Sequence, residues 1–157
     1  MDRDEDTQLR DLATRAHDAF LRKDFVDALS LGRELQRRFT HDPVGWFHVA
    51  RALRDSGQLE ECEGVLFSAP ERFPNDLPIL SIWVSLPRAR RDLEEALRRA
   101  NWLLDRFPND PSPYTHLARS LLAAGKKTEA TEVIATGLTR WPDNLGLTDT
   151  YRELSSL

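Results

Sequence analysis

Apolar residues recur along the chain at the spacing of an α-helix, and short polar breaks separate the runs. In the segment 43–76, the first run has apolar residues at i, i+3, i+4 and i+7: Trp46, Val49, Ala50 and Leu53. A break at Ser56-Gly57-Gln58 follows, and a second run begins at Cys62. Residues at this spacing share one face of a helix. The pattern predicts two amphipathic helices joined by a tight turn, and it recurs in 111–144.

A short motif closes each pair of runs and returns at a fixed interval. Its aromatic residue stands 34 positions after the preceding one, without insertion or deletion: Phe39, Phe73, Phe107 and Trp141. Proline follows the last three aromatics, and an asparagine or aspartate lies within three positions of each. Proline ends a helix, and Asn or Asp caps the next one. The interval predicts four helix–turn–helix repeats, over about 9–42, 43–76, 77–110 and 111–144.

The two ends of the chain differ from the repeats. Near the C-terminal end, apolar residues at helical spacing predict an amphipathic helix over 145–157: Leu145, Leu147, Tyr151 and Leu154. This helix would cap the open face of the fourth repeat. Residues 1–6 are acidic and predict a flexible, solvated tail. We expect the remainder, 7–157, to fold as a single domain.

The repeat resembles the tetratricopeptide repeat (TPR), whose 34-residue unit has an aromatic residue, a Leu-small pair, a second-helix alanine and a closing proline. Repeat two matches at Trp46, Val49, Ala50, Leu53, Cys62, Leu66, Ala69 and Pro74. Repeat four matches at Tyr114, Leu117, Ala118, Leu121, Ala130, Ile134 and Pro142. Repeat three matches in its second helix, and repeat one matches more loosely, with Thr40 in place of proline. The resemblance covers about 9–144 and implies an all-α fold, a right-handed α-solenoid of antiparallel helix pairs.

Small residues stand where the paired helices would cross. They are Ala16, Ala50 and Ala118 on first helices, and Ala28, Cys62, Ala96 and Ala130 on second helices. A larger side chain would push the helix axes beyond the usual separation of about 8–10 Å. We therefore expect close helix crossings at these positions.

The third repeat departs from the pattern in its first helix. Pro78 suits a first turn, but Pro87 removes a helix hydrogen bond and predicts an end or kink near Leu86. Asp92 lies three residues before Glu95, the spacing of a capping box at the start of the next helix. A bend that serves function and a tolerated irregularity both remain open.

Composition and charge restrict the function classes. The 157 residues carry a formal charge of −4, with 40% hydrophobic and 31% charged residues. This composition supports a core, and its net charge argues against bulk nucleic-acid binding. The single cysteine cannot form an internal disulfide, and we find no secretion signal or membrane span, so we expect a cytoplasmic location. Because 19 of the 22 basic residues are arginine, we expect a bacterial source with a GC-rich genome.

Motifs of catalysis and metal binding are absent from the sequence. There is no phosphate-binding glycine loop, no GxSxG, no HExxH and no paired-cysteine spacing. His48 and His116 occupy equivalent places, two repeat periods apart, but the four histidines form no metal-ligand pattern. Cys62 occupies a helix-crossing position, which favours a buried, inert thiol. We therefore predict a chain that is not an enzyme and needs no cofactor or metal.

The resemblance implies a binding groove. In TPR proteins the first helices line a concave groove, and five of twenty such positions here are arginine, against one acidic residue, Asp55. Arginine binds carboxylates and phosphates through its planar fork, although it also lies along any helix surface with its head in water. We predict a locally basic groove with Phe47 as its apolar anchor. The candidate groove residues are Arg10, His17, Phe47, His48, Arg51, Arg54, Arg88, Thr115 and Arg119.

The leading hypothesis is a non-catalytic scaffold or adaptor that captures an acidic peptide or a helix of a protein partner in this groove. The family's pocket for a C-terminal carboxylate uses Lys, Asn, Asn, Lys and Arg, and the aligned residues here do not fit: Ala13, His17, His48, Pro78 and Ile82. Two alternatives remain open. One is a bacterial secretion- or assembly-type chaperone, and the other is a regulatory TPR subunit of an enzyme such as a transferase. No nucleic-acid partner is expected, because the groove lacks a series of stacking aromatics.

Overall fold

The computed structural model describes residues 3–157, and these residues form ten α-helices and no β-strand. The helices are α1 (Arg3–Leu21), α2 (Phe25–Arg38), α3 (Val44–Asp55), α4 (Leu59–Val65), α5 (Ala69–Arg72), α6 (Leu77–Ala89), α7 (Leu93–Arg106), α8 (Ser112–Ala123), α9 (Lys127–Arg140) and α10 (Leu145–Ser155). Two successive helices make up each predicted repeat, except that α4 and α5 share the second position of repeat two. No helix within 3–157 is both long and apolar enough to cross a bilayer. The all-α prediction is confirmed.

The chain divides into two compact units, Met1–Trp83 and Val84–Leu157. In the first unit, α2 packs against α1 and α3, and α3 also contacts α1 and α4. In the second unit, α8 packs against α7 and α9, and α10 packs against both α8 and α9. Contact between each helix and its near neighbours in sequence is how stacked repeats bury their apolar faces. A single domain over 7–157 stays a prediction.

The turn inside each repeat contains one residue with a left-handed backbone. The φ angles are +60° at Lys23, +82° at Gly57, +62° at Arg91 and +76° at Gly125. These four residues are spaced by 34 positions, so the period predicted from the aromatics is also present in the backbone. Glycine adopts this conformation without steric cost, whereas Lys23 and Arg91 adopt it against the repulsion of their Cβ atoms.

The four repeat-closing aromatics are the C-cap residues of second helices. The backbone N–H groups of Phe39, Phe73, Phe107 and Trp141 donate to the carbonyl oxygen four residues earlier at 2.8–2.9 Å. Each aromatic therefore satisfies one of the carbonyl groups that a helix end leaves without an intrahelical partner. Any residue except proline could donate this bond, and the rings themselves pack on the first helix, with ring centres 5.5 Å apart for Phe73 and Trp46 and for Trp141 and Tyr114.

An arginine directly before the closing aromatic joins the end of a second helix to the loop that precedes the first helix of the same pair. Arg140 donates to the carbonyl oxygen of Pro108 at 2.7 Å. Arg72, two repeats earlier, donates to the carbonyl oxygen of Thr40 at 3.2 Å, and its guanidinium lies 4.0 Å from the ring centre of Trp46. In both repeats the bond runs from the end of the second helix to the loop before the first helix. We call Arg72 and Arg140 the repeat-closing arginines.

Small residues allow the helices to approach closely. The seven small residues predicted at helix crossings are all buried. Two glycines add closer contacts that the apolar pattern does not indicate. A Cβ atom on Gly45 would lie 2.6 Å from the backbone nitrogen of Gln36, and one on Gly32 would lie 3.0 Å from that of Val49. The backbones of α2 and α3 are therefore in contact at these two points.

The two terminal segments differ from their predictions. Residues 3–6, predicted to be a flexible tail, form the first turn of α1, and the predicted tail residues 1 and 2 lie outside the described part of the chain. The acidic residues of this turn favour the positive end of the helix dipole, and Asp6 pairs with Arg10 at 2.8 Å. In α10, Leu147 and Leu154 are buried as predicted, but Leu145 is 77% exposed. Tyr151, at 45% exposure, also lies outside the core.

The prolines of the second and third repeats differ in how they affect their helices. Pro70 has no N–H to donate to Leu66, and its ring would clash with that carbonyl, so the second helix of repeat two breaks between α4 and α5. Pro78 lies in the first turn of α6, as predicted, but α6 continues through Pro87 to Ala89 and does not end near Leu86. Only two helical residues follow Pro87, so its missing hydrogen bond affects the last turn alone.

Only one of the two hydrogen bonds of the predicted capping box forms at the start of α7. The side chain of Asp92 accepts a hydrogen bond from the backbone N–H of Glu95 at 3.2 Å. The Glu95 carboxylate bonds instead to Arg98 and Arg99, and Arg98 holds the pKa of Glu95 down to about 2. The reciprocal bond of a full box is replaced by the donation of the Asp92 N–H to the carbonyl of Pro87 at 2.9 Å.

Candidate interaction surface around Arg51

Four side chains from α1 and α3, the first helices of repeats one and two, converge around the guanidinium group of a fifth residue, Arg51, in the first unit. Helix α1 contributes His17 and Phe20, three residues apart, and α3 contributes Phe47, His48 and Arg51. Because residues three and four apart lie on the same helix face, each helix presents its members on one side. The Arg51 guanidinium lies 3.8 Å from the ring centre of Phe20 and 5.0 Å from that of Phe47. We call these five residues the Arg51 cluster.

Two histidines accept hydrogen bonds from Arg51. Both terminal nitrogens of Arg51 lie 3.2 Å from Nδ1 of His17, and one of them lies 3.3 Å from Nδ1 of His48. Arginine has only donors, so both Nδ1 atoms must be unprotonated acceptors in this arrangement. Burial is the largest effect on His48 and, with the positive charge of Arg51, lowers its pKa from 6.5 to about 4. His48 is therefore uncharged at neutral pH.

Arg51 has no carboxylate partner among residues 3–157, and its Nε atom is buried without a hydrogen-bond partner. Burial lowers the pKa of this guanidinium, against the opposing effect of the negative charge on Asp55. Arginine stays protonated in proteins, so the group remains a cation between two aromatic rings. The site thus combines a positive charge, an unused donor and apolar walls.

Three of the other predicted groove arginines carry local counter-charges. Arg10 pairs with Asp6 at 2.8 Å, Arg54 with Asp55 at 2.7 Å, and Arg119 with Glu153 at 3.4 Å. The acidic partners of Arg10 and Arg119 lie outside the groove positions that the resemblance supplies. The groove positions by themselves therefore do not predict that these two arginines are paired. Among the predicted groove arginines of the first unit, Arg51 is therefore the one without a carboxylate partner within 3–157.

The nine predicted groove residues separate between the two units. In the first unit, His17, Phe47, His48 and Arg51 are brought together, with Arg54 one helical turn beyond. Arg10 lies two turns before His17 on α1. In the second unit, Arg88 is half-buried near the end of α6, and Thr115 and Arg119 lie on α8. Phe20 also belongs to the cluster, although it is not one of the nine predicted groove residues. Its position three residues after His17 on α1 is the sequence feature that indicates it.

Comparisons with known proteins identify the architecture. The sequence matches no protein-family model, and no curated protein matches it significantly. Solved structures do match it. A thermophilic TPR protein from Thermus thermophilus is 22% identical, with a TM-score of 0.81 over 93% of this chain and 80% of its own. The chain has the tetratricopeptide-repeat fold.

Two further TPR-like structures agree over almost the whole length. MamA, residues 41 to the end, from Desulfovibrio magneticus RS-1 is 15% identical, with a TM-score of 0.69 over 98% of this chain and 90% of its own. A tetratricopeptide repeat protein from Parabacteroides merdae ATCC 43184 is 18% identical, with a TM-score of 0.68 over 94% of this chain and 59% of its own. The TPR resemblance inferred from the 34-residue period is therefore confirmed at the level of the fold.

Other reactive groups of this TPR chain are enclosed or dispersed. The Cys62 thiol is buried and lies 3.2 Å from the carbonyl oxygen of Ala50, and burial raises its pKa to about 12. A thiol in this state has almost no reactive thiolate at neutral pH. Within 3–157, no group of three or more His, Cys, Asp or Glu side chains is arranged to hold a metal ion.

Proposed function

We propose that this TPR chain is a non-catalytic scaffold for protein–protein interaction that binds an acidic peptide or partner helix at the Arg51 cluster. The observation that carries the proposal is a half-buried arginine, stacked on Phe20, with no carboxylate partner among the described residues. A carboxylate from a partner would balance the charge of this guanidinium, and charge-assisted bonds of this type are the stronger hydrogen bonds in proteins.

The cluster is also organised in advance of binding. The guanidinium is fixed by two aromatic rings and two histidine acceptors, so little side-chain freedom remains to be lost when a ligand arrives. A site that is ordered before binding lowers the entropy cost of association. Phe47 is half-buried beside Arg51 and supplies the apolar anchor of the proposal.

The proposal is tested by selecting binders from a random peptide library displayed on phage. We expect the selected peptides to be enriched in Asp and Glu, and the substitution Arg51→Met to weaken their affinity at least tenfold. Arg10→Met is the matched control, because Arg10 is exposed and already paired with Asp6. Selected peptides that bind Arg51→Met as tightly as the unchanged protein would contradict the proposal.

A further inference from the structure

A second surface in the first unit lies away from the Arg51 cluster, between the second helices of repeats one and two. A cleft of about 1530 Å³ separates α2 from α4. Its apolar lining comes from Phe25, Val26 and Leu29 on α2, with Trp46 and Val65 opposite. Its volume exceeds the range of about 300–1,000 Å³ that is typical of small-molecule pockets. The cleft therefore has the dimensions of a site for a chain segment.

Repeat two covers this cleft less than repeat four covers its equivalent. The equivalent cleft between α7 and α9 has a volume of about 470 Å³. Helix α9 has 14 residues and lines that cleft at four of its positions, whereas α4 has seven residues and contributes only Val65 to the larger one. Three of the four corresponding positions of repeat two lie within α4, at Glu61, Gly64 and Val65, and Gly64 has no side chain to cover the outer face of α2.

One apolar residue of the lining, Val26, is exposed to an unusual degree, while the other four are half-buried. Val26 is 83% exposed, although it follows Phe25 directly and stands three residues before Leu29 on the same helix. Apolar residues that share a helix face and remain open to water are the surface that an amphipathic partner helix covers. A helix with its side chains is about 10–12 Å across, which is the scale of such a surface. Residues 3–157 contain no strand edge to which an extended segment could bind by strand pairing.

The charges on the cleft favour an acidic partner. Lys23, Arg33 and Arg37 line it, against one acidic residue, Asp24. Arg33 is already paired with Glu61 at 2.6 Å, and Asp24 accepts the capping hydrogen bond of α2. Lys23 and Arg37 have no ion-pair partner among the described residues. Beyond the Arg33–Glu61 pair, Lys23 and Arg37 outnumber the one carboxylate, Asp24, so the cleft has a net positive charge.

We propose that the α2–α4 cleft is a second docking site, and that its occupant is an amphipathic helix with carboxylate side chains beside its apolar face. The site is independent of the Arg51 cluster, since it uses the second helices and a different apolar lining. The chain would then hold two acidic partner segments at once, one on each surface of the first unit.

The test uses a panel of fluorescent helical peptides, each as long as α9, with one shared apolar face. The residues beside that face are glutamate, glutamine or lysine in the three members, and binding is measured by fluorescence anisotropy. We expect the glutamate peptide to bind at least tenfold more tightly than the lysine peptide. Val26→Glu should weaken this binding at least tenfold, and so should the double variant Lys23→Glu/Arg37→Glu.

Two controls establish that the measured binding takes place in the α2–α4 cleft. The panel is measured on the Arg51→Met variant, so that the Arg51 cluster does not contribute to the binding, and Val26→Glu should leave the helical circular dichroism unchanged because Val26 is exposed. The proposal is overturned if no panel member binds, if the three peptides bind equally, or if Arg51→Met removes the binding. It is equally overturned if sedimentation velocity shows a dimer that Val26→Glu dissociates, since a second copy would then cover the cleft.

Discussion

His48 is a single residue whose burial makes stability depend on pH. Its pKa is about 4 in the folded chain against 6.5 for the free side chain, so the unfolded chain takes up a proton first as pH falls. The contribution of neutral His48 is therefore complete above pH 6.5 and is lost as pH falls from 6.5 towards 4. We expect the free energy of unfolding to decrease across this window, by roughly 3 kcal/mol at most.

Urea unfolding at a series of pH values across this window measures the effect. His48→Gln should flatten the pH dependence of the free energy of unfolding, whereas His41→Gln, at an exposed position, should leave it as it is. A His48→Gln profile parallel to that of the unchanged protein would show that another group dominates.

Two glycines at the residue scale predict opposite outcomes for the same substitution. Gly45→Ala should lower the free energy of unfolding by about 1–3 kcal/mol, because the new Cβ would meet the backbone of Gln36. Gly64→Ala should raise it by about 0.5–1 kcal/mol, because the site on α4 has no atom within 4 Å and alanine favours the helix. Thermal and chemical denaturation of both variants check the pair. Equal effects of the two substitutions would mean that α2 and α3 separate freely.

Side-chain partners at the residue scale were the least predictable from sequence. Three of the predicted groove arginines have carboxylate partners that follow from side-chain geometry. Arg119 on α8 pairs with Glu153 on α10, one repeat period of 34 residues later, but the period alone does not say which equivalent side chains meet. The buried contact of Gly45 with Gln36 was missed for a related reason, since a glycine by itself does not indicate which backbone approaches it.

At the element scale, the turns test how strongly the period constrains the backbone. Lys23 adopts φ +60° where the equivalent residue of repeat two is glycine. Lys23→Gly should therefore stabilise the chain by about 0.5–1 kcal/mol. The strain energy relieved in the folded chain exceeds the conformational entropy that glycine adds to the unfolded chain. Gly57→Ala, the reverse change at φ +82°, should destabilise it. The midpoint of urea unfolding reports both shifts, and a lower midpoint for Lys23→Gly would show that the lysine side chain contributes more than its strain costs.

The helices themselves were largely predictable. Apolar residues at i, i+3, i+4 and i+7 indicated the buried faces, and the closing aromatics indicated the helix ends. The exceptions are prolines, whose effect depends on how many residues follow in the helix. Pro87 is tolerated near the end of α6, while Pro70 divides a helix that the apolar pattern had left continuous. A helix-propensity rule treats Pro87 and Pro70 alike. The position of each proline within its helix determines whether the helix continues or breaks.

For the whole molecule, the exact 34-residue spacing predicted the TPR fold before any structural comparison. The fold was predictable because each repeat contributes the same small set of contacts. The sequence pattern of one repeat is weak evidence, but four repeats with the same pattern at the same spacing together indicate the fold. The Arg51 cluster was only partly predictable, since the resemblance supplied positions and the ring geometry needed coordinates. The α2–α4 cleft is larger than its equivalent in the second unit, and a repeat consensus does not contain this difference.

The repeat-closing arginines have a consequence for modularity. Arg72 and Arg140 bond to the loops that precede the first helices of their own hairpins, α3 and α8. A graft or deletion that exchanges one hairpin together with its preceding loop therefore transfers the donor with its acceptor. A cut placed in the middle of a hairpin would separate them, so the interchangeable building block of this protein begins at the loop and not at the helix.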